Sequence, residues 1–207
     1  VYRHHSIECL QRVVDITLKM KPFFRSERPL IVTNVGGFTE DGPMSIQDRE
    51  NRYRILEASL KEVYADGVEI IPQTMPPFPW HMGGQRFHNL FIDPDEISTF
   101  CKRNAMRICL DVSHSFLACN HYKWNPTNFW TKIVDITAHL HLADAKGVDG
   151  EGLQIGAGQV DFSKIFEIFS GKGRALTFIP EIWQGHKNDG EGFWAALSKL
   201  EIEASRF

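Results

Sequence analysis

The sequence predicts an α/β domain built as a TIM-type (β/α) barrel, and three observations carry that prediction. Five short apolar runs rich in β-branched residues start roughly 30 to 40 residues apart, with helical stretches between them. The later runs end in, or carry, a side chain able to bind a metal: Glu69, Asp111, His141 and Glu181. The first run is not followed by the glycine-rich turn of a doubly wound nucleotide-binding sheet, since Val35-Gly36-Gly37-Phe38 fits neither GxGxxG nor the P-loop pattern.

The runs lie at 30–35, 68–71, 107–112, 138–142 and 176–180, and amphipathic stretches lie near 7–21, 45–65, 95–104, 127–137, 162–169 and 191–200. Asp93-Pro94-Asp95-Glu96 marks a helix start, with a capping Asp, a proline at the first helical position and acidic residues in the first turn. Asn188-Asp189-Gly190-Glu191 has the spacing of a capping box. Buried strands alternating with helices predict a parallel sheet, doubly wound or closed; the ionisable strand ends favour the barrel, as barrel enzymes build their sites there.

At 207 residues the chain suits one domain, 1–207, with no linker or repeat to divide it. A complete (β/α)8 barrel takes about 250 residues and eight strands, so five clear strands predict an incomplete barrel. Even with residues 1–3 as the tail of a sixth strand, two or more βα units are expected to be missing before Ile7. The exposed backbone edges of 30–35 and 176–180 would then need an N-terminal segment or a second chain, as in a homodimer, to cover them. The alternative is a smaller barrel closed by strands overlooked within 72–90.

A net charge of -3 and a pI near 6.3 give no electrostatic case for nucleic acid or anionic membrane. No apolar run approaches the roughly 20 residues of a membrane span, and no signal pattern opens the chain. Cys9, Cys101, Cys109 and Cys119 show no CxxC or disulfide spacing and read as reduced thiols of a cytoplasmic protein.

In Leu110-Asp111-Val112-Ser113-His114, an Asp at a strand end with a His three residues on brings two metal-competent groups to one mouth. The competing reading makes Asp111 a helix cap and His114 a loop residue. In His139-Leu140-His141-Leu142-Ala143-Asp144, alternation points both histidines to one side of the strand, where polar satisfaction is costly outside a functional site. Asp144 and Lys146 follow closely and favour function. Glu181, after Phe178-Ile179-Pro180, and Glu69, within Val68-Glu69-Ile70-Ile71, are carboxylates on buried strands that require a cation or strong donors. For each glutamate alone, an ion pair with Arg or Lys is the main competitor. Together the four make an oxygen-rich set with one imidazole, suited to one divalent ion such as Mn²⁺, Mg²⁺ or Co²⁺, with Zn²⁺ also compatible. Three carboxylates around a dication leave surplus negative charge, so one glutamate can exchange protons beside the metal.

Over about residues 30–200 these features resemble the superfamily that joins xylose isomerase, sugar-phosphate isomerases and epimerases, and endonuclease IV-type enzymes. The resemblance rests on Glu69, on Asp111-Val-Ser-His114, on His141-Leu-Ala-Asp-Ala-Lys146, on the glycine-rich run from Gly152 to Asp161-Phe162, and on Pro180-Glu181. It implies that Glu69, Asp111, His141 and Glu181 hold one divalent ion. By analogy with the epimerases, Glu69 and Glu181 are the acid–base pair on opposite faces of a sugar, and His114 touches sugar hydroxyls. The implied function is a sugar or sugar-phosphate isomerase or epimerase acting through a metal-stabilised enediolate, with a small sugar as substrate. A metal-dependent hydrolase of the endonuclease type and a non-catalytic barrel are the alternatives. The nuclease pattern is broken at Asn34-Val35-Gly36, where His-Pro-Gly is expected, and at Asp149-Gly150-Glu151, which lacks its histidine. The segment 72–89, with Trp80 and His81, reads as a substrate lid or an ordinary packed loop. Trp80 and His186 are candidate substrate contacts, and Lys123, Trp124, Gln184 and Lys187 follow other strands within reach of a phosphate or hydroxyls.

Overall fold

The computed structural model describes residues 2–40, 42–81, 84–171 and 176–206, apart from the side chains of Trp80 and His81. In chain order, α1 (Tyr2–Met20) precedes β1 (Leu30–Thr33), β2 (Phe38–Thr39), α2 (Ile46–Lys61) and β3 (Glu69–Pro72). Three short strands follow, β4 (Trp80–His81), β5 (Gly84–Gln85) and β6 (Phe87–His88), then α3 (Pro94–Asn104), β7 (Ile108–Asp111), α4 (Val112–Tyr122) and α5 (Pro126–Ile133). The chain continues through β8 (Thr137–Leu142), β9 (Asp144–Lys146), β10 (Gly150–Leu153), α6 (Phe162–Ser170), β11 (Thr177–Pro180) and α7 (Lys187–Ala204).

Parallel pairing joins β1 to β3, β7 to β8 and β8 to β11, and a parallel bridge from Gln73 to Cys109 links β3 to β7. The barrel wall therefore runs β1–β3–β7–β8–β11, on the five runs expected from the sequence. The small strands between β3 and α3 form local antiparallel pairs, β4 with β5 and β6 with β2, and close no smaller barrel. Among the described residues β1 and β11 do not pair with each other. Phe178 and Ile179 of β11 are 46% and 43% exposed, as edge-strand side chains are.

Strand alternation sorts the side chains into two layers. Ile71 and Cys109 pack with Leu30 and Val32 on the inner face, joined by Ala138, which sits at the register shift between β7 and β8. Ile31 and Ile70 point the other way and meet Val14 of α1 and Val63 beyond α2. The larger outer core seats Leu110 and Leu142 against Ile97, Phe100, Leu117, Trp130 and Ile133 of α3, α4 and α5.

Helix signals mostly hold. Asp93 caps α3 by accepting N–H bonds from Asp95 and Glu96, with Pro94 at the first turn. At 188–191 the expected capping box is replaced by a left-handed turn: Asn188, Asp189 and Gly190 have φ of 52°, 57° and 84°, and Asn188 Nδ2 donates to the Glu191 side chain. The helix α4 has no counterpart among the predicted amphipathic stretches. It is apolar and small almost all round, buried at Val112, Ser113 and 115–119, so it carries no polar face to give a periodic signal.

Candidate metal centre

Asp111, His141 and Glu181 converge at the C-terminal ends of three adjacent strands, each offering a ligand atom within 4.8 Å of the others. Asp111 closes β7 and is fully buried. Its Oδ1 accepts the His114 N–H at 2.9 Å and so caps α4, while Oδ2 turns into the site. Cap and site residue are thus one carboxylate, and the two readings of Asp111 do not compete. Thr74 locks the strand end by accepting the Asp111 N–H and donating to its carbonyl. His141, on β8 beside β7, is buried, and its Nδ1 lies 2.6 Å from Glu181 Oε2 and 3.8 Å from Asp111 Oδ2. That nitrogen makes no hydrogen bond of good geometry despite its burial. A ring nitrogen facing two carboxylates without a fitting donor or acceptor is what a cation would satisfy, so the donor set fits a divalent ion.

The electrostatics agree. Burial works against the charged form of His141, but the closeness of Asp111, Cys109 and Glu181 to its ring prevails and pushes it up to about 12. Burial also opposes ionisation of Asp111, yet the two histidines and the His114 N–H hold its carboxyl below the usual range. The pocket thus attracts positive charge, whether proton or metal ion. His139 shares the face of His141, their rings edge to face 5.3 Å apart. Burial and the neighbouring His141 pull His139 down to about 4, leaving a neutral ring that hydrogen-bonds Thr177 at 2.6 Å.

Glu69 does not join them. It opens β3, on the inner face with Ile71 and Gln73 but four residues, or about 13 Å, below Gln73, which follows the strand's C-terminal end. There it forms a bidentate pair with Arg107, with bonds of 2.8 and 2.6 Å, which holds its carboxyl below the usual range. Alternation chose the right face of the strand; the strand's start put the residue at the wrong end. The ion pair named as its competitor is what it makes, and neither its ligand nor its acid–base role stands. The position Glu69 was expected to fill belongs to Gln73, which is 6% exposed and donates from Nε2 to Asp111 Oδ2 at 2.9 Å. Its offset of four residues along the strand, equal to that from Arg107 to Asp111 on β7, is the signal that could have found it.

A cavity of about 520 Å³ opens above the cluster, lined by Asp111, Ser113, His114, Glu151, Glu181 and Trp183 among others. His114 lies in α4, not in a loop. Its Nδ1 is 2.9 Å from the Thr74 carbonyl, which can only accept, so Nδ1 carries the proton and Nε2 faces Glu151 Oε2 at 3.5 Å. Glu151 comes from the β9–β10 hairpin, where the sequence had shown only a missing histidine. His186, Gln184 and Lys187 also line the cavity; Lys123 and Trp124 do not. The side chain of Trp80 lies outside the described residues, and the segment leading to it, 72–79, is packed, with residues 72–77 and Pro79 buried. Asp144 is buried at the strand end but holds the chain rather than the site: its two oxygens accept the N–H groups of Ala145, Gly156, Gly158 and Val160.

Residues 3–201 match the family described as xylose isomerase-like TIM barrel. The chain belongs to that family. Among solved structures, this xylose isomerase-like barrel is similar to a D-tagatose 3-epimerase-like protein, at TM-score 0.69 and 21% identity, covering 99% of this chain and 71% of that one. It is also similar to an L-ribulose 3-epimerase, at 0.66 and 14%, covering 97% and 67%, and to D-psicose 3-epimerase from Clostridium cellulolyticum H10, at 0.60 and 16%, covering 99% and 68%. An uncharacterised protein of Methanocaldococcus jannaschii, MJ1614, is 34% identical over 97 residues, which span 47% of this chain and a third of that relative.

Proposed function

We propose that the protein is a metal-dependent isomerase or epimerase of a sugar or sugar derivative, working by proton transfer next to a carbonyl. The observation that carries the reading is the convergence of Asp111, His141 and Glu181 on one point at the strand ends, with His141 Nδ1 buried and unmatched. Asp111 and His141 are buried and braced, and so are suited to holding a divalent ion; Glu181, 51% exposed at its side chain, reaches the cavity. A bound ion supplies the positive charge that polarises a carbonyl and offsets the charge of an enediolate. Glu181, exposed to the cavity, takes the proton from the carbon beside that carbonyl; in an isomerisation it returns it to the neighbouring carbon, and in an epimerisation His114 or Glu151 delivers a proton to the opposite face. His114 Nε2 and Glu151 line the same cavity and meet substrate hydroxyls, with the exposed Trp183 and His186 among its lining. Epimerases among the similar structures support the substrate class.

The multinuclear hydrolase has no observation in its favour, since the described residues form one candidate cluster. Three converging metal-competent side chains and the unmatched His141 nitrogen argue against a non-catalytic barrel. Calorimetric titration with Mn²⁺, Mg²⁺, Co²⁺ and Zn²⁺, followed by incubation of the loaded protein with ketoses and phosphorylated sugars in D₂O, tests the proposal. One ion bound per chain and deuterium entering a sugar are expected; absence of metal binding, or binding that survives His141→Ala, refutes it.

A further inference from the structure

Resting on the metal reading above, we infer that Gln73 is a fourth ligand of the ion, a neutral amide oxygen in place of a third carboxylate, which leaves the loaded site without net charge. Gln73 is nine-tenths buried and lies at the C-terminal end of β3 beside Asp111 on β7. Its Nε2 touches Asp111 Oδ2, the oxygen that faces His141 Nδ1. Its Oε1 accepts no hydrogen bond from the described residues and so is open to another partner.

A clamp for Asp111 is the simpler role, but Asp111 needs none. Its Oδ1 is held by the His114 N–H, and its backbone N–H and C=O are both engaged by Thr74. The amide does something those contacts cannot: it offers an oxygen to a cation while its NH₂ stays on the neighbouring carboxylate. Its attachment to one carbon lets both contacts form together, and a half-turn of the amide exchanges them if needed.

Charge gives the inference its content. Asp111 and Glu181 contribute two negative charges, which a dication cancels; a glutamate at position 73 would leave one in excess. A neutral centre repels a developing enediolate less than a negative one does. An amide neither accepts nor releases a proton at neutral pH, so Glu181 is the one proton-moving carboxylate among these ligands.

Mn²⁺ titration of the unmodified protein, Gln73→Leu and Gln73→Glu, with a crystal structure of the unmodified protein soaked in Mn²⁺, tests this. Gln73→Leu should weaken Mn²⁺ binding at least about tenfold, Gln73→Glu should tighten it, and Oε1 should stand about 2.0–2.6 Å from the ion. Equal affinity of the folded Gln73→Leu protein, or Oε1 turned away from bound Mn²⁺, overturns the ligand role while leaving the metal site intact. If Gln73→Leu does not fold, the soaked structure decides alone. Failure of the unmodified protein to bind Mn²⁺ sinks the metal reading and this inference with it.

Discussion

Replacing Asp144 with Asn should cost more stability than any other single-atom change near the site. Asp144 is 1% exposed and accepts four backbone N–H groups at 2.8 to 2.9 Å, one from Ala145 and three from the loop that leads to α6. Hydrogen bonds to a charged acceptor contribute about 1.5–3 kcal/mol each, and a buried donor left without one costs about 1–3. An asparagine keeps one oxygen, so two of the four donors keep an acceptor and two face an NH₂ group. The loss is therefore about 3–5 kcal/mol, at the upper end for a point substitution. For a chain of this length, a fall of roughly 10 °C in Tm follows. Urea and thermal unfolding by circular dichroism measure it, and limited proteolysis within 154–160 reports whether the loop is what loosens. Gly158→Ala probes the same knot from the other side, because a Cβ there would collide with the Asp144 carboxylate and the Ala145 carbonyl. A loss below about 1 kcal/mol for Asp144→Asn would show that water replaces the carboxylate freely, and the structural role would be refuted.

Glu69→Gln should leave Mn²⁺ affinity unchanged, against its expected role as a ligand, since it lies at the far end of the strand. Because Arg107 lowers the Glu69 pKa from 4.5, the pair stabilises the fold above that pH and its contribution is lost as pH falls through the lowered value. The Gln variant should therefore lose stability at neutral pH and show a shallower further decline on acidification; identical acid unfolding profiles would refute the pairing. Glu181→Gln should nearly abolish turnover, and His114→Ala should raise KM with metal occupancy retained; metal loss in the His114 variant would reverse those roles. Saturating Mn²⁺ at about 100 times its Kd should add about 2.7 kcal/mol of stability, and His141→Ala should abolish the gain in Tm. With one proton-moving carboxylate, a sugar that is isomerised should keep part of its transferred hydrogen in D₂O, as removal and return on one face allow. Complete exchange with inversion at the carbon would call for a second base, with His114 and Glu151 in place to provide it.

Most of the site was legible because its residues obey local rules. Asp111 and Glu181 stand just where apolar runs stop, and His141 shares a strand face with His139, so position along the chain and alternation were enough. Glu69 shows where such reasoning ends: period two tells which face a side chain takes, while height depends on where the strand begins against its neighbours. Only the register of Leu30 with Glu69 and of Gln73 with Cys109 shows that β3 enters the sheet at Glu69 and reaches the site four residues later. Asp144 was misread for a related reason. A buried carboxylate announces that it needs donors, but whether these are a cation or backbone N–H groups depends on how a loop twelve to sixteen residues away folds back.

Taken alone, the sequence determined the five parallel strands, their order along the chain, most of the helices and three of the residues that converge at the strand ends, since each follows from periodicity, capping chemistry or the end of a hydrophobic run. Tertiary structure alone decided that Gln73 stands where a glutamate was expected, that Glu151 reaches His114 from a hairpin, and that β1 and β11 do not meet among the described residues. Those outcomes depend on register, hairpin geometry and sheet curvature, which sum over contacts between residues far apart in the chain and leave no mark on any local pattern.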